Sequence, residues 1–135
     1  MEEQGVDFWW MDWQQQKDTP IPGLDPLFWL NYLHWNDRVR SGDRPLIFSR
    51  WGGLGNHRYQ IGFSGDTFCN WQSLAFQPYF TSTAANVGYG YWSHDIGGHQ
   101  PGVVEPELYA RWLQWAVFNP ILRTHCTANP LSERR

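Results

Sequence analysis

Short apolar runs alternate along the chain with longer stretches of helical period. Val6-Asp7-Phe8-Trp9-Trp10-Met11 reads as a strand running into Asp12. After a loop holding Pro20, Pro22 and Gly23, Asp25-Pro26 carries the signature of an N-cap followed by proline at the first helical position. Leu27, Leu30, Leu33 and Trp35 keep helical spacing towards Arg40, and Ser41-Gly42-Asp43 closes the element. Residues 45–49 form a second apolar run, ending at Arg50. A glycine-rich loop over 51–56 precedes a third run over 59–63, which ends at Ser64-Gly65-Asp66. Helical spacing returns over 70–85 with Leu74, Phe76, Tyr79 and Phe80. A fourth strand over 87–92 ends at Ser93-His94-Asp95. Glu105-Pro106-Glu107 opens a helix through Phe118, and Pro120-Ile121-Leu122 begins a fifth strand ending near Arg123 and His125.

Strands alternating with helices predict an α/β fold, a parallel sheet covered by helices. No internal repeat or flexible linker interrupts it. Asp12, Arg50, Asp66, Asp95 and His125 all fall at or just past the C-terminal end of a predicted strand. Active sites of α/β folds gather at that edge. Five polar residues there, rather than one or two, point to a site.

Composition narrows the function classes. At 135 residues the chain has room for one domain with a core. Charged residues make up 17% and the net charge is −3, with no basic stripe, so nothing favours a nucleic-acid partner. No apolar window is long enough to span a membrane, and the acidic start Met1-Glu2-Glu3-Gln4 has no signal-peptide character. Cys69 and Cys126 are too few for a disulfide scaffold, read as small buried hydrophobes, and leave the compartment undecided. Aromatic residues reach 18%, with ten tryptophans. Large rings fill cores, and flat rings also stack on the C–H faces of sugars. The glycines of Gly52-Gly53-Leu54-Gly55 lack the lysine and hydroxyl residue of a phosphate loop. His94, Asp95, His99 and His125 fit no zinc spacing, so no metal is expected.

Five motifs carry a more specific reading. Trp10-Met11-Asp12 resembles the nucleophile motif of glycoside hydrolase family 31, and Phe63-Ser64-Gly65-Asp66-Thr67 resembles its acid/base motif. Phe48-Ser49-Arg50-Trp51 is similar to the family's strand-end arginine segment. Trp92-Ser93-His94-Asp95-Ile96-Gly97-Gly98 is similar to its Gly-x-Asp-Ile-Gly-Gly segment. Tyr109 to Gln114, through Asn119-Pro120 to Arg123-Thr124-His125, resembles its last helix and histidine. The motifs stand in family order and cover nearly the whole chain.

The resemblance implies a partial (β/α)8 TIM barrel over residues 1–135, holding strands four to eight of a parent catalytic domain. It implies a retaining, double-displacement hydrolase of O-glycosyl bonds in α-linked glycosides, of the α-glucosidase or α-xylosidase type, without a cofactor. Asp12 is then the nucleophile and Asp66 the general acid and base. That chemistry needs one ionised and one protonated carboxyl about 5–5.5 Å apart, the latter with a pKa raised by its surroundings. Without the motif, either aspartate would read as a cap for the following helix. Arg50 would orient Asp12 or bind sugar hydroxyls, with a structural ion pair as the plainer role. Asp95 and His125 would bind hydroxyls of the sugar being cleaved, and Trp10 and Trp13 would wall its subsite. The partner is an oligosaccharide or simple α-glycoside. Trp13-Gln14-Gln15, Thr67 and His99 depart from the family's usual residues, the last standing where Phe is common. These departures bear on substrate choice. The alternative is a truncated, catalytically incompetent barrel fragment or pseudo-enzyme. In either case the missing barrel half is expected to be needed for folding, leaving Phe8, Trp10, Ile47, Phe48 and Ile61 as candidates for exposed barrel interior.

Overall fold

The computed structural model describes residues 1–12, 19–50, 52–59, 61–102 and 105–127. Four strands form one sheet whose order follows the chain: β1 (Trp9–Met11), β2 (Ile47–Arg50), β3 (Ile61–Phe63) and β4 (Trp92–Ser93). Three helices alternate with them: α1 (Pro26–Arg40), α2 (Trp71–Ala85) and α3 (Pro106–Ala116). This is the α/β alternation expected from periodicity. The chain divides into two compact units, Met1–Gly62 and Phe63–Arg135.

In the first unit, β1 and β2 pair in parallel, with Trp9 opposite Ile47, Trp10 opposite Phe48 and Met11 opposite Ser49. Parallel strands need a crossover, and α1 supplies it. Asp25 caps α1 as anticipated: its carboxylate accepts from the amides of Leu27 at 2.8 Å and Phe28 at 3.0 Å. Arg38 and Arg40 occupy the last turn, where the helix dipole favours cations. Met11, Leu27 and Ile47 form the core, flanked by Trp9 and Trp35. A buried amide fixes the helix against the strand. Asn31 Nδ2 donates to Ser49 Oγ at 2.8 Å and to the Leu27 carbonyl at 3.0 Å. The glycine-rich loop ends in a short 3-10 turn, Asn56–Tyr59, rather than opening the third strand at Tyr59.

In the second unit, Ile96, Leu108, Trp112 and Ala116 are fully buried, with Leu74, Leu113 and Trp115 packed around them. Leu108, Trp112 and Ala116 recur at four-residue spacing, so α3 turns one stripe inward. A second cluster joins Ala84, Tyr89 and Trp92 with Phe80. Asn70 caps α2 through the Ser73 amide at 2.7 Å. Glu105 precedes α3 without capping it, and its carboxylate accepts from Trp71 Nε1 at 3.0 Å. Among the described residues no helix is long and apolar enough to cross a membrane.

The strands start later than the apolar runs that mark them, and the fourth and fifth differ most from the sequence pattern. The apolar run from Val87 becomes strand only at Trp92, because Gly88, at φ 94°, ends α2 in a left-handed turn. There the amides of Gly88 and Tyr89 return to the carbonyls of Ala85 and Ala84, both at 3.1 Å. The fifth strand is reduced to two isolated parallel bridges, Ser93 with Ile121 and Ile96 with Thr124.

Glycine is required where the loop after β4 crosses the start of α2. Gly98 has φ +85°, and a Cβ there would lie 2.9 Å from the Cys69 nitrogen and 3.0 Å from its Cα. Gly98→Ala is therefore expected to cost about 1–3 kcal/mol. Gly90→Ala, which meets open space, should stay within about 0.5 kcal/mol. Urea unfolding of both variants measures this; equal midpoints would show that the crossing tolerates a side chain.

Candidate active site

Each unit carries part of the set of polar residues singled out in the sequence. In the first, Asp12 directly follows β1 and Arg50 is the last residue of β2. The register that sets Met11 beside Ser49 brings the next residue of each strand together. Arg50 Nε lies 2.9 Å from Asp12 Oδ1. The arginine is buried and the carboxylate half-buried, so the guanidinium restrains a carboxylate that solvent still reaches. Trp10 is 45% exposed, its ring meeting Phe48 edge-on at 4.7 Å. Trp13 lies outside the described residues.

In the second unit, three loop segments converge. Ser64 couples the first two: its amide donates to the Ser93 carbonyl at 3.1 Å, and its hydroxyl accepts from the Asp95 amide at 3.0 Å. Gly65, at φ 75°, then turns the chain so that Asp66 follows. The third segment is docked by the Ile96–Thr124 bridge, with Ile96 N donating to the Arg123 carbonyl at 3.3 Å and His125 N to the Ile96 carbonyl at 3.0 Å. Residues two apart in an extended chain share a face, so Arg123 and His125 both approach Asp95.

Asp95 is 2% exposed. Its Oδ1 is ion-paired with Arg123, and its Oδ2 lies 3.9 Å from His125 Nε2. Burial raises its pKa above the ordinary carboxylate value, against the opposing pull of Arg123 and His125. Burial also lowers the His125 pKa, with Asp95 working the other way. Arg123 sits over the Phe63 ring at 5.6 Å.

His94, the neighbour of Asp95, turns the opposite way. Gln77 Nε2 donates to the Ser73 carbonyl at 2.8 Å, which leaves Gln77 Oε1 as acceptor for His94 Nδ1 at 2.8 Å. Nδ1 therefore carries the proton, and Nε2 accepts from the Thr81 hydroxyl at 3.0 Å. Burial lowers this imidazole's pKa to about 4, so it is neutral at ordinary pH.

Asp66 is 30% exposed, with Oδ2 4.0 Å from His99 Nε2. The His99 ring lies nearly parallel to the His125 ring, centroids 4.9 Å apart, with its Nδ1 2.8 Å from His125 Nε2. The second unit thus gathers Asp66, Asp95 and His125, which the sequence singled out as site residues, with Arg123, named there only within a motif, and His99, named only as a departure bearing on substrate choice. Arg123 lay inside a recognised motif, and its proximity to His125 was the available signal. Among the described residues no group of three or more His, Cys, Asp or Glu is arranged to hold a metal ion.

The Asp95–Arg123 pair makes a testable demand. A carboxyl whose folded pKa is raised binds more protons folded than unfolded at intermediate pH. Its stabilising contribution is present at low pH and is lost as pH rises through the folded pKa. Arg123→Met removes the countercharge and should cost about 3–5 kcal/mol at pH 7. That loss should shrink by pH 4.5 as Asp95 takes up a proton. Chemical denaturation at both values measures it, and an equal loss at each would place the cost outside this ion pair.

Comparisons with known proteins identify the family of the chain. The family model described as the glycosyl hydrolases family 31 TIM-barrel domain matches residues 1–134. An α-xylosidase of Saccharolobus solfataricus is 30% identical over 93% of this chain and 21% of its own length. α-Xylosidase A of Aspergillus niger is 38% identical over 59% of this chain and 12% of its own. The solved family 31 α-xylosidase of Xanthomonas citri superposes with a TM-score of 0.77 at 27% identity, covering 98% of this chain and 18% of that one. The chain spans about a fifth of the length of such relatives. It belongs to the TIM-barrel domain of glycosyl hydrolase family 31.

Proposed function

We propose that this chain supplies both catalytic carboxylates of a retaining α-glycosidase acting on α-xylosides or α-glucosides. The observation that carries the reading is the position of two aspartates in a family 31 chain: Asp12 immediately past β1 and Asp66 three residues past β3. In this scheme Asp12 attacks the anomeric carbon as the glycosidic C–O bond breaks, and Asp66 protonates the departing oxygen. Asp66 then takes a proton from water, which attacks the glycosyl–Asp12 ester and frees both sugar and carboxylate with net retention. The mechanism calls for the two carboxyls to stand about 5–5.5 Å apart. Arg50, at 2.9 Å from Asp12, orients the nucleophile. His125 and Asp95 bind sugar hydroxyls, His125 being the more exposed of the two. Trp10, about half exposed, walls the subsite.

The chain is further proposed to fold only with additional barrel strands. Ile47, Phe48 and Ile61 are buried, but Phe8 and Trp10 are about half exposed, and Val117 and Phe118 more so. A closed barrel of this type takes about 250 residues. Light scattering of residues 1–135 alone should show self-association; a cooperative, monomeric fold would overturn this part.

The catalytic roles are tested in the full-length polypeptide bearing these residues. Asp12→Ala should abolish turnover of every substrate, glycosyl fluorides included. Asp66→Ala should lose about 10²–10⁴-fold on alkyl glycosides, keep its first step on glycosyl fluorides, and yield an α-glycosyl azide when azide is added. Equal, unrescued losses in both variants would refute the assignment.

A further inference from the structure

The four residues that follow Gly65 alternate between solvent and interior. The Asp66 side chain is 30% exposed, and the Thr67 hydroxyl is shut off from solvent. Phe68 is then 56% exposed and Cys69 fully buried. Residues two apart in an extended chain share a face. The phenyl ring of Phe68 therefore stands on the side of the chain that carries the Asp66 carboxyl.

That face is held from behind. The Thr67 carbonyl accepts from the amides of His99 at 2.8 Å and Gln100 at 2.9 Å, and Phe68 pairs in parallel with Gln100. The Asn70 amide donates to the Phe68 carbonyl at 3.0 Å just before α2 begins. A large ring left open on a backbone tied in this way loses little freedom when a flat ligand covers it. The next exposed ring, Trp71, opens α2 and is tethered to Glu105.

A general acid gives its proton to the oxygen of the bond being broken, so the leaving group ends up beside the acid's carboxyl. The C–H face of a leaving sugar is apolar, and Phe68 offers it a flat apolar surface two residues from that carboxyl. We propose that Phe68 is a specificity-determining residue that stacks on the leaving group and favours a sugar aglycone over a small alkyl one. This role rests on Asp66 being the general acid. A ring that recognises the aglycone matters only when an aglycone ring is present, whereas a merely structural ring affects all substrates alike.

The test measures kcat/KM of the full-length polypeptide on three substrates of one glycone. These are an α-xylosyl-glucose disaccharide, methyl α-xyloside and α-xylosyl fluoride, or the glucosyl counterparts if the glycone is glucose. Phe68→Leu keeps apolar bulk and removes the flat ring. It should lose about tenfold on the disaccharide, with the methyl glycoside and the fluoride unchanged. Phe68→Tyr, which keeps the ring, should retain the disaccharide activity. Equal losses of Phe68→Leu on all three substrates, or no loss on the disaccharide, would overturn the proposal. Asp66→Ala runs alongside and should lose activity on the disaccharide and the methyl glycoside while sparing the fluoride. If it does so and Phe68→Leu fails to single out the disaccharide, the role of Phe68 falls alone. If Asp66→Ala does not spare the fluoride, the acid assignment falls and the role of Phe68 with it.

Discussion

A buried carboxylate constrains everything around it. Asp95 has almost no contact with solvent, and an ion in that position costs several kcal/mol unless a countercharge is supplied at close range. The countercharge comes from Arg123, 28 residues further along the chain, and it arrives only because the segment around it docks in parallel register beside Ile96. That register also delivers His125, two residues on and on the same face. The electrostatic requirement of one side chain thereby fixes how the C-terminal segment is laid down and which groups stand in the site.

The alternation of an extended chain does the complementary work. His94 and Asp95 are adjacent, yet one is locked into α2 by Gln77 and Thr81 and the other faces the acidic and basic cluster. With His94 held neutral by burial, the permanent positive charge beside Asp95 is that of Arg123. In the first unit the same logic operates across two strands: parallel pairing of β1 and β2 aligns their C-terminal ends, so Asp12 and Arg50 meet without any contribution from a loop.

Those parts of the structure governed by local rules were legible in the sequence. Asp25-Pro26 announced the start of α1, helical spacing the extent of α2, and the apolar runs the positions of β1 to β3, because caps and periodicity act over a few residues. The ends of elements were less so. Val87 to Tyr91 has strand-like composition, but Gly88 commits it to closing a helix, and the run at 120–122 contributes only an isolated bridge at Ile121. The aspartates and His125 stood out by motif and by their place at strand ends. Arg123 stood in a motif and His99 at a departure from one, but their contacts were not legible, since these lie with partners 26 to 28 residues away and no spacing rule encodes a pairing made through tertiary packing.

The crossing of Gly98 over Cys69 reaches beyond the need for a small residue. Cys69 is fully buried, and its thiol donates to the Gly97 carbonyl at 3.0 Å, directly beneath the turn that carries His99. An alkylating reagent can reach that sulfur only when the turn lifts away, whereas Cys126 is partly accessible throughout. The rate at which Cys69 becomes modified, set against Cys126 in the same molecule, is thus a clock for the opening of this turn, with the reference built into the chain.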